Sequence, residues 1–327
     1  MTKDKNIYIN RELSWLQFNA RVLQEAADRD VPLIERLRFL GIFSNNLDEF
    51  FKVRYATVKR IYEAGKGGKS ELGGIKAGDL LEEITQIVIE QQIESLKILS
   101  EINIELENEN IFVINETEID EYHHEFIKNY FYQEISPALA VIMLNEDIAL
   151  PELKDISAYL AVKMSSSQSK DQVALIEISS AMDRFVVLPS KANNNYIIMI
   201  DDILRYCLND IFNIFNYESI TAHMIKITRD GELDFDSDLS KSFIDKLSES
   251  VKDRQSGDPV RFIYDKSIDD TTLNFLLERM FIYKKESIIP GGRYHNRRDY
   301  MKFPSLGRTD LLYDKIKPLP VNGLSLE

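Results

Sequence analysis

The chain of 327 residues is long enough for about two domains, and its 44% hydrophobic and 29% charged residues belong to a globular, core-forming protein, not a disordered one. A lone cysteine, Cys207, excludes a disulfide scaffold; the longest uncharged apolar run, Ile135 to Asn145, has 11 residues and contains Pro137, against roughly 20 for a bilayer span. The formal charge of −14 sets most of the surface against polyanions, so no nucleic-acid partner is expected, and an anionic substrate must meet local basic patches.

The first hundred residues read as helices. Ser14 and Gln17 fit a capping box with Leu13 and Phe18 as its staple, and Leu16, Ala20, Leu23 and Ala27 recur at helical spacing. Pro32 suits the first turn of a second helix, which Gly41 ends or kinks. Asn45 or Asn46 then caps a third helix, with Asp48 and Glu49 in its first turn and Asp48 paired to Lys52. A fourth helix is expected over 79–108. Together they predict a small all-α bundle.

The pattern changes near Asn110. A helix fits 120–133, and strands fit 158–164, 173–178, 185–188, 196–200, 222–228 and 260–264, with a hairpin loop over 165–171. Helices fit 201–215, 238–254 and 271–280. Strands and helices mix without βαβ alternation, so the fold class is α+β in two domains: a helical bundle (1–109), then an α+β head (110–317), with 318–327 as a tail or the start of something further.

Two stretches are basic. Residues 32–60 hold six Lys/Arg against three acids, and 284–308 hold seven against two. The ordinary reading of each is a solvated surface. Gly67-Gly68-Lys69-Ser70 fails the phosphate-loop register, because Glu63 stands where a glycine is required. His123 and His124 read as solvated, His223 as structural, and Cys207 as a buried inert thiol. The loop Pro290-Gly291-Gly292-Arg293-Tyr294-His295-Asn296 is either an anion-holding turn, with Arg293 and His295 as contacts, or a rigid junction. The segment from Arg36 to Arg54 is equally open. It reads as a capped turn, or as a helix start where an Asn side chain pairs with a base edge and Arg36, Arg38, Lys52 and Arg54 contact an anion.

The runs Glu12-Leu13-Ser14-Trp15-Leu16, Phe18-Asn19, Arg21-Val22-Leu23-Gln24-Glu25-Ala26, Pro32-Leu33-Ile34-Glu35-Arg36 and Ser44-Asn45-Asn46-Leu47-Asp48-Glu49-Phe50 resemble the start of the phosphohistidine type of bacterial polyphosphate kinase. The resemblance continues through Leu204-Arg205-Tyr206-Cys207-Leu208, Lys226-Ile227-Thr228-Arg229-Asp230, Pro259-Val260-Arg261-Phe262 and the 290–296 loop, so it covers essentially the whole chain. It implies a helical N-terminal domain and a dimerising head, followed by two phospholipase-D-like domains that carry the phosphate-accepting histidine.

The sequence stops where those domains should begin, near Lys317-Pro318-Leu319-Pro320, and matches no catalytic histidine motif. The resemblance therefore implies no nucleophile here. It implies an adenine contact at Asn46, the ligands ATP or ADP and inorganic polyphosphate, Mg²⁺ in the full-length enzyme, and a homo-oligomer that is cytoplasmic or peripheral to the membrane. The chain alone is expected to be inactive. The alternative is a non-catalytic module that oligomerises or binds nucleotide or polyphosphate.

Overall fold

A computed structural model describes residues 9–65, 72–144, 150–151, 153–154, 157–179, 182–230, 259–283, 287–294 and 296–315. The expected helix over 238–254, the Gly67–Ser70 loop and His295 lie outside them.

Helix α1 (Arg11–Ala27) starts three residues before the expected cap. Asn10 takes that role, its side-chain oxygen accepting from the Glu12 and Leu13 amides at 2.9 and 3.3 Å. Helix α2 (Leu33–Glu49) neither ends nor kinks at Gly41, and Asn45 and Asn46 do not cap a new helix. It runs on through a π-helical turn (Phe50–Tyr55) into α3 (Ala56–Glu63), and the Phe50 amide bonds back to the Asn46 carbonyl. Packing explains the continuity. The widened turn lets the adjacent Phe50 and Phe51 both face the core. Phe50 stacks on Trp15 at 4.8 Å, and Phe51 lies 4.7 Å from Tyr55.

Helix α4 (Ala77–Asn108) spans about 48 Å at 1.5 Å per residue. Its buried side includes Leu80, Ile84, Val88, Ile98 and Ile102. Among the described residues the bundle is followed by two sheets. In the smaller, β1 (Ile111–Ile114) runs parallel to β6 (Asn194–Met199), which pairs antiparallel with β5 (Phe185–Lys191). The larger has the order β2-β4-β3-β7-β8-β9: β2 (Ala140–Leu144), β4 (Ser169–Ile178), β3 (Ala158–Ser166), β7 (Ser219–Arg229), β8 (Pro259–Asp265) and β9 (Ile288–Gly291). Only its β8–β9 pair is parallel. Helices α5 (Glu121–Tyr130), α6 (Ile200–Tyr206), α7 (Leu208–Ile211) and α8 (Asp270–Arg279) complete an α+β head.

Local corrections have local causes. The 201–215 helix is broken at Cys207, whose φ of −98° and ψ of 12° leave the helical region. The 165–171 loop shrinks to Ser167-Gln168, because β3 and β4 extend toward each other. His123 is buried, not solvated: its ring bonds to the Pro189 carbonyl at 3.0 Å and to Asp120 at 2.9 Å. Cys207 is buried as expected, and burial pushes its thiol up to about 11.

One hydrophobic core joins the two regions. The apolar faces of α1, α2 and α4 pack with Val260, Ile263, Ile289, Tyr300 and Phe303 of the head. Gly41 sits at this seam. A Cβ there would lie 2.6 Å from the Met301 amide nitrogen and 3.2 Å from the Arg298 carbonyl, so the helix is pressed against backbone. Gly41→Ala should therefore destabilise the protein by about 1–3 kcal/mol, although alanine favours a helix by about 1 kcal/mol. Urea unfolding measures this; a more stable variant would show that α2 does not touch this segment.

Candidate functional site

Asn46 is half-buried in the interior of α2 and is oriented by α1. The fully buried Asn19 donates to the Phe43 carbonyl at 3.2 Å and accepts from the Asn46 side-chain nitrogen at 3.0 Å. One amide N–H of Asn46 is thereby used. Its second N–H and its carbonyl oxygen have no other partner among the described residues, which leaves a donor–acceptor edge on a pinned side chain.

Two residues on, Asp48 does not pair with Lys52. It turns into the head and binds two buried cations from adjacent strands: Lys226 of β7 at 2.5 Å and Arg261 of β8. The register puts both on one face of the sheet, since Lys226 opposes Ile263 and Thr228 opposes Arg261. Arg261 also lies over the Phe51 ring, 4.4 Å from its centre. Lys226 further donates to the Asn296 side-chain oxygen at 2.8 Å. Burial pushes the Asp48 pKa up, but the two cations outweigh it and hold the group down at about 2. Burial also lowers the pKa values of Lys226 and Arg261, against the pull of Asp48.

The first basic stretch dissolves into internal pairings. Arg36 is buried, bonding to the Ala26 carbonyl at 2.9 Å and to Glu105 at 2.6 Å. Arg38 pairs with Glu35 at 2.7 Å, Arg54 with Glu12 at 3.1 Å and Arg60 with Asp230 at 3.3 Å. Lys59 donates to the Pro259 carbonyl at 2.6 Å. Lys52 alone of the six has no partner among the described residues. Arg36 and Arg54 bind α1 fourteen residues apart, at Ala26 and Glu12, or about 21 Å of helix. The two therefore do not converge on one small anion.

In the second stretch, Arg293 binds Glu116 and Asp202, the latter at 2.8 Å. Burial opposes its charge, yet these carboxylates raise its pKa. Tyr294 donates to the same Asp202 at 2.6 Å. Arg297 is buried against neutral acceptors, Ser95, Gln92 and the Tyr294 carbonyl, and burial lowers its pKa to about 10. Through Arg297 this stretch thus locks to α4, while Arg293 and Tyr294 tie it to Asp202 of α6. Sequence reading missed Asn19 as the partner of Asn46, and Lys226, Arg261 and Asn296 as a set connected through Asp48 and Lys226. The available signal was a charge between apolar neighbours in two strands: Lys226 between Ile225 and Ile227, and Arg261 between Val260 and Phe262.

Asp48→Asn should destabilise the protein by about 3–5 kcal/mol at neutral pH, because two buried cations lose their counter-charge. A carboxylate with a depressed pKa contributes stability above its unfolded value near 3.8, and loses it as pH falls through about 2. The gap between wild type and variant, measured by urea unfolding, should narrow as pH drops from about 4 toward 2. A gap that widens in acid would contradict this electrostatic origin.

Comparison with known proteins places this geometry. The family described as the polyphosphate kinase N-terminal domain matches residues 8–114, and the polyphosphate kinase middle domain matches 122–303. A polyphosphate kinase of Vibrio cholerae is 42% identical over 98% of the chain, and one of Escherichia coli K12 is 41% identical over 97%. The crystal structure of polyphosphate kinase from Porphyromonas gingivalis superposes with a TM-score of 0.78 at 27% identity, covering 96% of this chain and 44% of that one. The chain spans about half the length of these relatives, 45% and 46% of the two curated sequences. With the helical bundle and the α+β head each matched by its own domain, the chain belongs to the polyphosphate kinase family.

Proposed function

We propose that this chain is the nucleotide-reading and dimer-forming portion of a polyphosphate kinase whose complete form moves the γ-phosphate of ATP, through a phosphohistidine, to the end of inorganic polyphosphate, reversibly. Its proposed units are the bundle over 1–109 and the head over 110–317. The observation that carries the reading is the Asn46 side chain, held by Asn19 and presenting one N–H and one C=O. That pair matches an adenine edge, where an N–H and a ring nitrogen stand side by side. Asn19 supplies the pre-organisation that makes such a contact selective.

This chain's own part is then to orient the base, not to transfer phosphate. We assign no nucleophile here: His123 is bonded into the head, and the Nδ1 of His223, on β7, lies 3.2 Å from the Ser267 hydroxyl. Mg²⁺ in this reaction class neutralises phosphate charge. Among the described residues no cluster of three or more His, Cys, Asp or Glu fits a metal ion, so its ligands are sought in the rest of the full-length enzyme. No helix among the described residues is long and apolar enough to cross a membrane, which is compatible with a cytoplasmic or peripheral protein.

The proposed dimer uses the head. Strand β2 forms one end of the large sheet, and Val141 and Met143 on it are exposed. An apolar edge of this kind is a template for another strand. Sedimentation at tens of micromolar should give dimers, and Val141→Lys should shift them toward monomers; a monomeric wild type would contradict the assignment.

Asn46→Asp in the full-length enzyme should weaken ATP binding by about 5- to 150-fold, the loss of a bidentate pair worth ~1–3 kcal/mol. The effect should appear in KM, with the fold intact by circular dichroism. An unchanged KM would leave Asn46 as a link between α1 and α2 only.

A further inference from the structure

Two cations of the second basic stretch, Arg298 and Lys302, are absent from the pairings that tie it to α4 and α6. Both line a cavity of about 210 Å³ between residues 178–179 and 182–185 on one side and the 3-10 turn Arg297–Lys302 on the other. Arg184, Asn296, Asp299 and Asp183 complete its polar wall. We infer that this cavity binds inorganic hydrogen phosphate, at a site separate from Asn46.

The donors are in surplus. Arg184 is buried, and one edge of its guanidinium pairs with Asp201 at 2.7 Å. Its Nε has no hydrogen-bond partner among the described residues; an Asp299 oxygen is 3.5 Å away. Arg298 reaches only Asp299, at 3.9 Å. Lys302 has no ion pair among the described residues. Asp299 is itself shared, since the same oxygen accepts from Asn296 at 3.2 Å. The buried Arg184 Nε without an acceptor is costly, and a tetrahedral oxyanion supplies an acceptor to it and to the more exposed Arg298 and Lys302. A bare metal cation would face three positive side chains. A nucleotide would be too large, because pockets for ligands of that size start at about 300 Å³.

The carboxylates select among oxyanions. Asp183 lines the same cavity as an acceptor, and a fully ionised oxyanion has nothing to donate to it. Hydrogen phosphate carries one P–O–H, which can donate to Asp183 while its remaining oxygens accept from Arg184, Arg298 and Lys302. Sulfate at neutral pH has no such proton and meets the carboxylate as a like charge. The cavity is also tied to the joint: Asn296 on its wall accepts from Lys226, which binds Asp48.

The test titrates the 327-residue chain with orthophosphate, sulfate and tripolyphosphate at pH 7 and fixed ionic strength, by calorimetry. Saturable orthophosphate binding is expected, with sulfate at least tenfold weaker. Lys302→Ala, at an exposed position that leaves the fold unchanged by circular dichroism, should weaken phosphate about tenfold, and Arg298→Ala at least as much. Asp183→Asn should narrow the gap between phosphate and sulfate. Lys97→Ala removes an exposed cation of α4 and should change neither. Several results would overturn the inference: no saturable phosphate binding, equal binding of phosphate and sulfate, or an equal loss in Lys97→Ala. Tripolyphosphate binding without orthophosphate binding would assign the cavity to a chain end and overturn it too. Loss of phosphate binding in Asn46→Asp but not in Lys302→Ala would move the anion to α2.

Discussion

Asp48 is the contact on which the arrangement depends. It stands on a helix of the N-terminal bundle, is almost fully buried, and faces Lys226 and Arg261 from two neighbouring strands of the head. A buried carboxylate is unfavourable alone, and so are two buried cations; each is tolerated because the other is there. The apolar seam around them contributes most of the attraction between bundle and head, but it is not directional. The charges are directional, so they fix how α2 lies on the sheet. Gly41 fixes how close it lies, because nothing larger than hydrogen fits between it and the Met301 amide.

That placement gives the site its meaning. Asn46 is two residues before Asp48 on the same helix, and the π-helical turn carrying Phe50 and Phe51 follows directly. Phe51 supports the Arg261 guanidinium, and Phe50 stacks on Trp15 of α1, the helix that also supplies Asn19. The side chain of Asn46 is thus set by one neighbour on α1, while its backbone is set by the joint with the head. Asn46 and Asp48 stand about half a helical turn apart on α2.

The long amphipathic stretches were readable from sequence because local periodicity decides them: α4 and the strands β3, β4 and β7 lie where the apolar patterns put them. Strand β9 was not, because Pro290 and Gly291 argue against a strand; the end position in the sheet tolerates them, since a proline there need not donate to a further neighbour. The continuity of α2 was hidden for a similar reason. Gly41, Asn45 and Asn46 favour a break locally, and packing of Gly41 against Arg298 and Met301, 257 and 260 positions away, overrides them. The position of Asn46 was legible through its family-like run, but its orientation rests on Asn19, and the role of Asp48 rests on strands 178 and 213 residues distant. The basic stretch over 32–60 misled because net charge along a sequence does not say which carboxylates fold back onto it.

The central claim is that one charged contact holds bundle and head in register. A double-mutant cycle between Asp48→Asn and Lys226→Met, followed by urea unfolding at neutral pH, tests it most directly. The two substitutions should be strongly non-additive, with a coupling above about 1.5 kcal/mol, because each removes the reason the other residue is tolerated. Additive losses, within about 0.5 kcal/mol, would show that Asp48 and Lys226 stabilise the protein independently, and that their pairing does not hold the joint.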